Sequence, residues 1–495
     1  MSGVLVGVDS STQSCKVLVL DADTGVIVAS GSAPHPDGTA VDPMAWIDAL
    51  GAAWSAAGVA ERTDVLGVGV CAQQHGMVAV DRDGHPVHDA LLWNDLRSAG
   101  QARDMVAQMG IAGWMEAVNV LPVAAITLTK LAWLREHRPE AAARVHRVML
   151  PHDWLVLHLT GAFVTDRSDA SGTGYFSAEA NRYRPDLLER YFGAVPQLPR
   201  VLRPDEAAGT LLPRWGGRGR PIPVSAGAGD NAGAALGLEL EPGDVVISVG
   251  TSGTIFTRAA RPVCDPSGIT AGFAAATGDH LPLLCTLNAA RVMTATAALL
   301  SVDLARFDAL ALAGKDDAGG LTMLPYFDGE RTPDLPDATG QLHGLTRDAF
   351  TPENLARGAV LAVANALADC VGMLRAIDAP VGRLLLIGGG AKSAALRAVL
   401  PDTLAASLIL PATCEYVALG AGRQAAWAAT GRLPCWGRRI EAVLEPNLDP
   451  GAAAYRDRYA RLRDALVSDS LRPASRSSPG RRAGERSPAR ADRER

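Results

Sequence analysis

Ser225-Ala-Gly-Ala-Gly-Asp-Asn-Ala-Gly-Ala-Ala-Leu-Gly237 begins where a short β-run, Ile222-Pro-Val224, gives way to small residues. One carboxylate, Asp230, stands at this corner with Asn231 beside it, and the composition predicts a helix over 232–238. Aspartate is a favoured N-cap because its side-chain oxygen accepts a free N–H of the first helical turn. The flanking glycines let another segment, or a ligand, approach the backbone closely. Such a corner suits a catalytic base, and it equally suits a plain helix cap.

Just downstream, Asp244-Val-Val-Ile-Ser-Val-Gly-Thr-Ser-Gly-Thr-Ile-Phe-Thr257 reads as strand, tight polar turn, strand. The N-terminus repeats the pattern in Val4-Leu-Val-Gly-Val-Asp-Ser-Ser-Thr-Gln-Ser-Cys-Lys-Val-Leu-Val-Leu20. Two hairpins tipped with Ser, Thr or Gly, about 240 residues apart, suggest duplicated halves. Exposed turn N–H groups and hydroxyls form an anion-binding concavity, so phosphate is the expected ligand.

Strands and helices alternate between and beyond these hairpins, which makes the fold class α/β. A buried strand over 65–71 runs into Gln73-Gln74-His75-Gly76, and 77–81 is expected to pair with 86–92. Helices are expected over 97–109 and 128–136. In the second half a long helix over 355–375 precedes a strand at 383–387. Gly388-Gly-Gly390 releases that strand into a helix at 394–404, and another helix follows at 417–430. The seam near 239–244 predicts domains over 1–240 and 241–445, then a C-terminal helix over 446–467. The Ser-, Pro- and Arg-rich segment 468–495 has too few apolar residues to fold and is expected to be disordered.

Composition narrows the class. Hydrophobic residues at 48% and charged residues at 20% describe a globular chain with sizeable cores. A net charge of −6 argues against a nucleic-acid partner, which needs a basic face. Seven scattered cysteines without a C-x-x-C pair fit reduced thiols in the cytoplasm. Neither a signal peptide nor a membrane span is expected.

Several motif readings fail. No G-x-x-x-x-G-K-[ST] occurs, which excludes a P-loop. The pattern G-x-G-x-x-[GA] occurs at Gly67–Ala72, where no helix follows, and at Gly227–Ala232. There Asp230 would face the pyrophosphate of a dinucleotide, and like charges repel. His85 and His88 lie on an expected surface hairpin without partner ligands, so no metal site is assigned to them. Gly388–Gly390 would let a flat adenine lie against bare backbone, or would simply let helix and strand pack closely.

Taken in order, the motifs resemble those of the FGGY carbohydrate kinases, in the actin/hexokinase-like ATPase superfamily. They are Gly7-Val-Asp-Ser-Ser-Thr12 with Lys16, Gln73-Gln-His-Gly76, Leu92-Trp-Asn-Asp95, Gly229-Asp-Asn231 and Ser248-Val-Gly-Thr-Ser-Gly253. Leu324-Pro-Tyr326, Gly329-Glu-Arg-Thr-Pro333, Gly388-Gly-Gly390 with Ser393, and Glu415 before Ala418-Leu-Gly420 complete the set. One position departs: Ser11 stands where the family's first turn carries glycine.

The resemblance implies two ribonuclease-H-like domains with the active site in the cleft between them. Gln74-His75 resembles the pentulose-kinase branch, which implies ATP-dependent phosphorylation of D-xylulose at its C5 hydroxyl. Ribulose, glycerol or a hexulose as substrate, or a non-catalytic nucleotide switch, are the alternatives. Asp230 is the implied base, and a loose phosphoryl-transfer transition state does not demand a raised pKa of it. Asp9 is implied to hold Mg²⁺ through water. Ser11, Thr12, Thr251 and Ser252 are implied donors to the ATP phosphates, Gly389 and Gly390 are implied to line the adenine pocket, and Lys16 and Ser393 are implied ATP contacts. Gln74, His75, Asn231 and Asp95 are implied for the sugar, and Glu330-Arg331 reads as an ion pair fixing its loop. Partners are then a sugar and a nucleotide, with neither nucleic acid nor membrane, and a homodimer is compatible.

Overall fold

A computed structural model describes residues 3–216 and 220–470. Both predicted hairpins form. Strand β1 (Val4–Ser10) pairs antiparallel with β2 (Ser14–Asp21), Asp9 opposite Lys16, and β2 pairs with β3 (Ile27–Pro34). Strand β4 (Val65–Ala72) runs parallel to β1 on its other side. With β5 (Ala207–Thr210) and β6 (Pro223–Ser225) the first sheet has the order β5-β6-β4-β1-β2-β3, and the short β7 (Ala228–Gly229) also pairs with β4.

The second sheet is built on the same plan. Its hairpin is β8 (Val245–Val249) and β9 (Gly253–Thr257), continued antiparallel by β11 (His280–Thr286) and β10 (Ala271–Ala274). On the other side β12 (Leu384–Ile387) and β13 (Leu408–Pro411) run parallel, and β14 (Ile440–Leu444) closes the edge antiparallel. Continuous apolar runs such as Leu384–Leu386 mark strands covered on both faces.

Seven helices matter for the argument: α1 (Met44–Ala56), α2 (Pro151–Thr160), α3 (Arg167–Ala170), α4 (Asp230–Gly237), α5 (Pro352–Ala376), α6 (Tyr416–Thr430) and α7 (Pro450–Ser470). Helix α5 is long and apolar enough to cross a membrane, yet it lies inside the core of the second half. Helix α7 begins four residues later than expected and runs through 468–470, positions expected to be disordered. Buried Tyr455 ties it down by donating to Gly358 O, and Arg456 and Arg463 both pair with Asp369 of α5. Residues 471–495 of the expected disordered segment lie outside the described residues.

Two local expectations change. Residues 78–80 pair with 147–149, and only isolated bridges join Met77 to Leu91 and Val80 to Pro86. The helix expected over 97–109 extends to Val118, with Gly110 breaking its regular φ/ψ.

Helix α6 comes from the second half of the chain but lies on the first sheet. A Cβ added at Gly7 would stand 1.9 Å from Ala418 O, and one at Gly69 would stand 1.9 Å from Ala421 O. The helices also press on each other, since a Cβ at Gly420 would stand 1.9 Å from Gly233 O. These glycines are packing surfaces, which explains the dinucleotide-like spacing in β4 without any dinucleotide. Gly7→Ala should therefore lower the urea midpoint by the equivalent of about 1–3 kcal/mol or more, the scale of core overpacking. An unchanged midpoint would show that α6 can shift freely.

Candidate active site

A cleft of about 370 Å³ opens between the two halves, lined by Ser11, Asp230 and Asn231 on one side and Ser248, Gly388 and Gly389 on the other. Both hairpin regions, the acidic corner and the triple glycine thus meet at one place.

Asp230 is the first residue of α4, and its N-cap is Gly229, so the carboxylate does not cap the helix. Its Oδ1 accepts from the Asn231 backbone N–H at 2.7 Å and from Asn231 Nδ2 at 2.9 Å. Burial pushes its pKa up to about 6, against the lowering effect of those two hydrogen bonds. Of the two readings of this corner, the plain helix cap is not the one formed: β7 and α4 set the carboxylate against the cleft, where burial raises its pKa.

Asp9 projects near the end of β1 and is buried, with Ser11 Oγ donating to its Oδ1 at 2.5 Å. Burial, and to a lesser extent repulsion by Asp230, lifts its pKa to about 7 even though the Ser11 hydrogen bond and the Lys16 charge lower it. Ser11 lines the cleft with its hydroxyl committed to Asp9, and it is absent from the residues with positive φ. A serine is therefore accommodated at this turn without strain. Thr12 Oγ1 accepts from the Trp93 indole at 2.9 Å and keeps its own proton to donate. Lys16 Nζ pairs with Glu415 Oε2 at 2.6 Å, an ion pair that joins β2 to the start of α6.

On the other flank, Asn231 Nδ2 donates to Gln74 Oε1 at 3.2 Å, linking two expected sugar contacts to Asp230. His75 adopts φ 68°, an uncommon conformation for a non-glycine residue. Thr127 Oγ1 donates to its carbonyl at 3.0 Å, and Phe273 of β10 lies 5.3 Å from its ring. Burial, then the charges of Lys130 and Arg331, push the imidazole pKa down to about 3. The ring is neutral, and Nδ1 lies 3.0 Å from Gly172 O, so Nδ1 carries the proton and Nε2 is left as an acceptor. Asp95 is already engaged by protein donors. It is buried and binds Arg97 Nε at 2.7 Å and Thr39 Oγ1 at 2.8 Å. Burial would raise its pKa, but these donors outweigh it and hold the group below its ordinary value.

On the other wall of the cleft, Thr251 and Ser252 occupy the tip between β8 and β9, Thr251 exposed and Ser252 partly so. Gly389 faces the cleft, and a Cβ there would meet nothing within 4 Å. Gly390 instead presses on Val249, whose Cγ1 would lie 2.4 Å from a Cβ at that position. Ser393 caps the helix over 394–404 and donates to Asp308 Oδ1 at 2.6 Å, so its hydroxyl is structural. Leu410, Pro411 and Tyr416 line the same cleft as the glycines and add apolar surface suited to a flat heterocycle.

Glu330 and Arg331 do not form the expected pair. Glu330 accepts from the Leu287 and Arg331 backbone N–H groups and from Asn288 Nδ2, which pins the loop to the end of β11. The Arg331 guanidinium has no hydrogen-bond or ion-pair partner among the described residues, and its charge bears on His75 and Cys285. Sequence spacing missed it because adjacent opposite charges suggest a pair, whereas successive side chains in an extended loop point apart. Glu415, on the cleft wall at the start of α6, was legible only as one element of a motif.

Residues 4–237 match the FGGY family of carbohydrate kinases, N-terminal domain, and residues 245–429 match the C-terminal domain of that family. The chain is 45% identical over 457 residues to a xylulose kinase of Streptomyces coelicolor, covering 90% of this chain and 92% of that one. A xylulose kinase of Streptomyces rubiginosus is 43% identical over 459 residues, covering 90% and 92%. Among solved structures, a xylulose kinase from Bifidobacterium adolescentis superposes with a TM-score of 0.86 at 41% identity, covering 93% of this chain and 99% of that one.

Proposed function

Because the chain belongs to the FGGY family of carbohydrate kinases and is an ATP-dependent sugar kinase, we propose that its substrate is D-xylulose, phosphorylated at the C5 hydroxyl with Asp230 as general base. The carrying observation is the bridge from the Asp230 carboxylate through Asn231 to Gln74, on the cleft wall that the first half supplies. The similarity to xylulose kinases supports the choice of sugar.

In the proposed reaction the C5 oxygen attacks the γ-phosphorus of ATP. The new O–P bond forms as the bond to the β,γ-bridging oxygen breaks, ADP departs, and the hydroxyl proton passes to Asp230. Gln74, Asn231 and the His75 Nε2 acceptor orient the sugar hydroxyls, and ordering of this kind accounts for much of the rate of a loose phosphoryl transfer. Thr12, Thr251 and Ser252 offer hydroxyl protons toward the phosphates. Asp9, a buried carboxylate with a single side-chain hydroxyl donor, fits a magnesium–nucleotide complex. It would hold that cation through water, and the bound cation would supply charge neutralisation at the phosphates. The same reading places the enzyme in the cytoplasm with small-molecule partners.

ADP release measured against D-xylulose, D-ribulose, glycerol and a hexulose tests the assignment. D-xylulose should give the highest kcat/KM. A higher value for ribulose or glycerol would overturn the choice of sugar, and turnover indifferent to every sugar would overturn the reading as a whole. A base must be ionised, and burial has raised this one. At saturating magnesium–ATP, kcat/KM for the sugar should therefore rise with pH along one limb centred at about 6. A profile flat from pH 5 to 8 would show that no base with a raised pKa limits the reaction.

A further inference from the structure

Four ionisable side chains lie beneath the turn that carries Asp230, and the mechanism above uses none of them. His152 and Asp153 open α2, Asp166 precedes α3, and Asp169 lies within it. Their exposures are 0%, 2%, 3% and 0%. The imidazole Nδ1 lies 3.1 Å from Asp153 Oδ1 and 3.9 Å from Asp169 Oδ2. Three carboxylates therefore share a buried volume with one imidazole.

Hydrogen bonding does not balance this cluster. Asp166 accepts from Ser168 N, Ser168 Oγ and Asp169 N, and Asp153 Oδ2 accepts from Leu150 N. Asp169 accepts nothing at either oxygen. Arg167 directs its guanidinium away, to the carbonyls of Ala178, Gly278 and Asp279. A buried carboxylate without a counter-charge costs several kcal/mol, so each acid here either takes up a proton or faces a cation. Burial would discharge the imidazole, but the Asp153 hydrogen bond and the charges of Asp153 and Asp166 outweigh it and hold His152 above its ordinary pKa. Burial lifts Asp166 and, further, Asp169, which is also repelled by Asp166, Asp153 and Asp230. The Tyr175 and Tyr183 phenols, near Asp153, are pushed up by their own burial and stay neutral.

The cluster is joined to the backbone that positions the base. Ser168 Oγ, which donates to Asp166, accepts from Gly229 N at 3.1 Å, and Gly229 is the residue before Asp230. Gly227 passes over the ring so closely that a Cβ there would stand 1.8 Å from His152 Nε2. The ring is thus the floor of the 226–229 segment.

We propose that His152 is a positioning residue for phosphoryl transfer: as a buried imidazolium whose Nδ1 faces Asp153 and Asp169 and whose Nε2 lies under Gly227, it braces the segment that holds Asp230 in the cleft. The bracing role rests on the reading of Asp230 as base, whereas the charge state of His152 does not. Side-chain ¹⁵N NMR of the full chain at pH 7.5, assigned by comparison with His152→Gln, should show both ring nitrogens protonated. His152→Gln should lower kcat by about 10-fold or more with sugar KM changed less than about 3-fold, on the scale expected for a displaced reacting group. His152→Lys, which keeps the charge, should recover most of that loss.

A neutral His152 in the NMR spectrum overturns the proposal, as does a lysine variant no better than the glutamine one. Stoichiometric metal in the purified wild type that is lost in His152→Gln would replace the proton by a metal ion and also overturn it. If His152→Gln fails to fold, the wild-type spectrum and the lysine variant decide. Should Asp230→Ala remain active while His152 is charged, the base assignment fails and the buried imidazolium stands.

Discussion

Asp230→Ala should reduce kcat by about 10²-fold or more, the range expected when a general base is lost. The sugar KM should change little, because Gln74, Asn231 and His75 remain. The side chain is small and sits at the first turn of α4, so its removal leaves the helix intact. The residual activity should also lose the acidic limb centred at about 6, since the group that titrates there is gone. Asp230→Asn separates shape from proton acceptance and should be as slow as the alanine variant. Near-normal turnover in either would remove Asp230 from the chemistry and leave it as a sugar contact.

Asp9→Asn should fall by a similar factor, about 10²-fold or more, when an ion-holding group at the phosphates is neutralised. The apparent affinity for magnesium should weaken with it. Stability should move the other way. The Asp9 pKa is raised from 3.8 to about 7, so the folded state binds this proton more tightly than the unfolded chain does. Stability therefore falls as pH rises from the unfolded value through about 7, by a few kcal/mol for a shift of this size. Without nucleotide or magnesium, Asp9→Asn should melt higher than wild type at pH 8 and show little gain at pH 4. A carboxylate kept at a stability cost is the pattern of a functional group. Equal melting temperatures at pH 8 would mean that water reaches Asp9 after all.

What could be read in advance follows from the range of the interactions involved. Alternating β-branched runs fix strands, and Ser-, Thr- and Gly-rich tips fix hairpins, because these are contacts between near neighbours. Hence both hairpins, the strand before Gln73 and the triple-glycine turn lie where the residues place them. Asp230, Asn231, Gln74 and Gly389 could be nominated from local pattern, and the fold brings them to one cleft or its rim. Asp95, Gly390 and Ser393 matched motifs as well, but their partners, Arg97 with Thr39, Val249 and Asp308, are supplied by packing.

The amino-acid sequence alone determined the duplicated hairpin-and-strand plan, the acidic corner and the class of chemistry, all carried by short segments whose geometry is local. Tertiary structure alone decided that α6 crosses back onto the first sheet, that Arg331 stands apart from Glu330, and that three carboxylates converge on His152. Those outcomes depend on burial and on approach between distant residues. Desolvation, which raises Asp9 to about 7 and Asp230 to about 6, is a property of the assembled cleft and of no single stretch of chain.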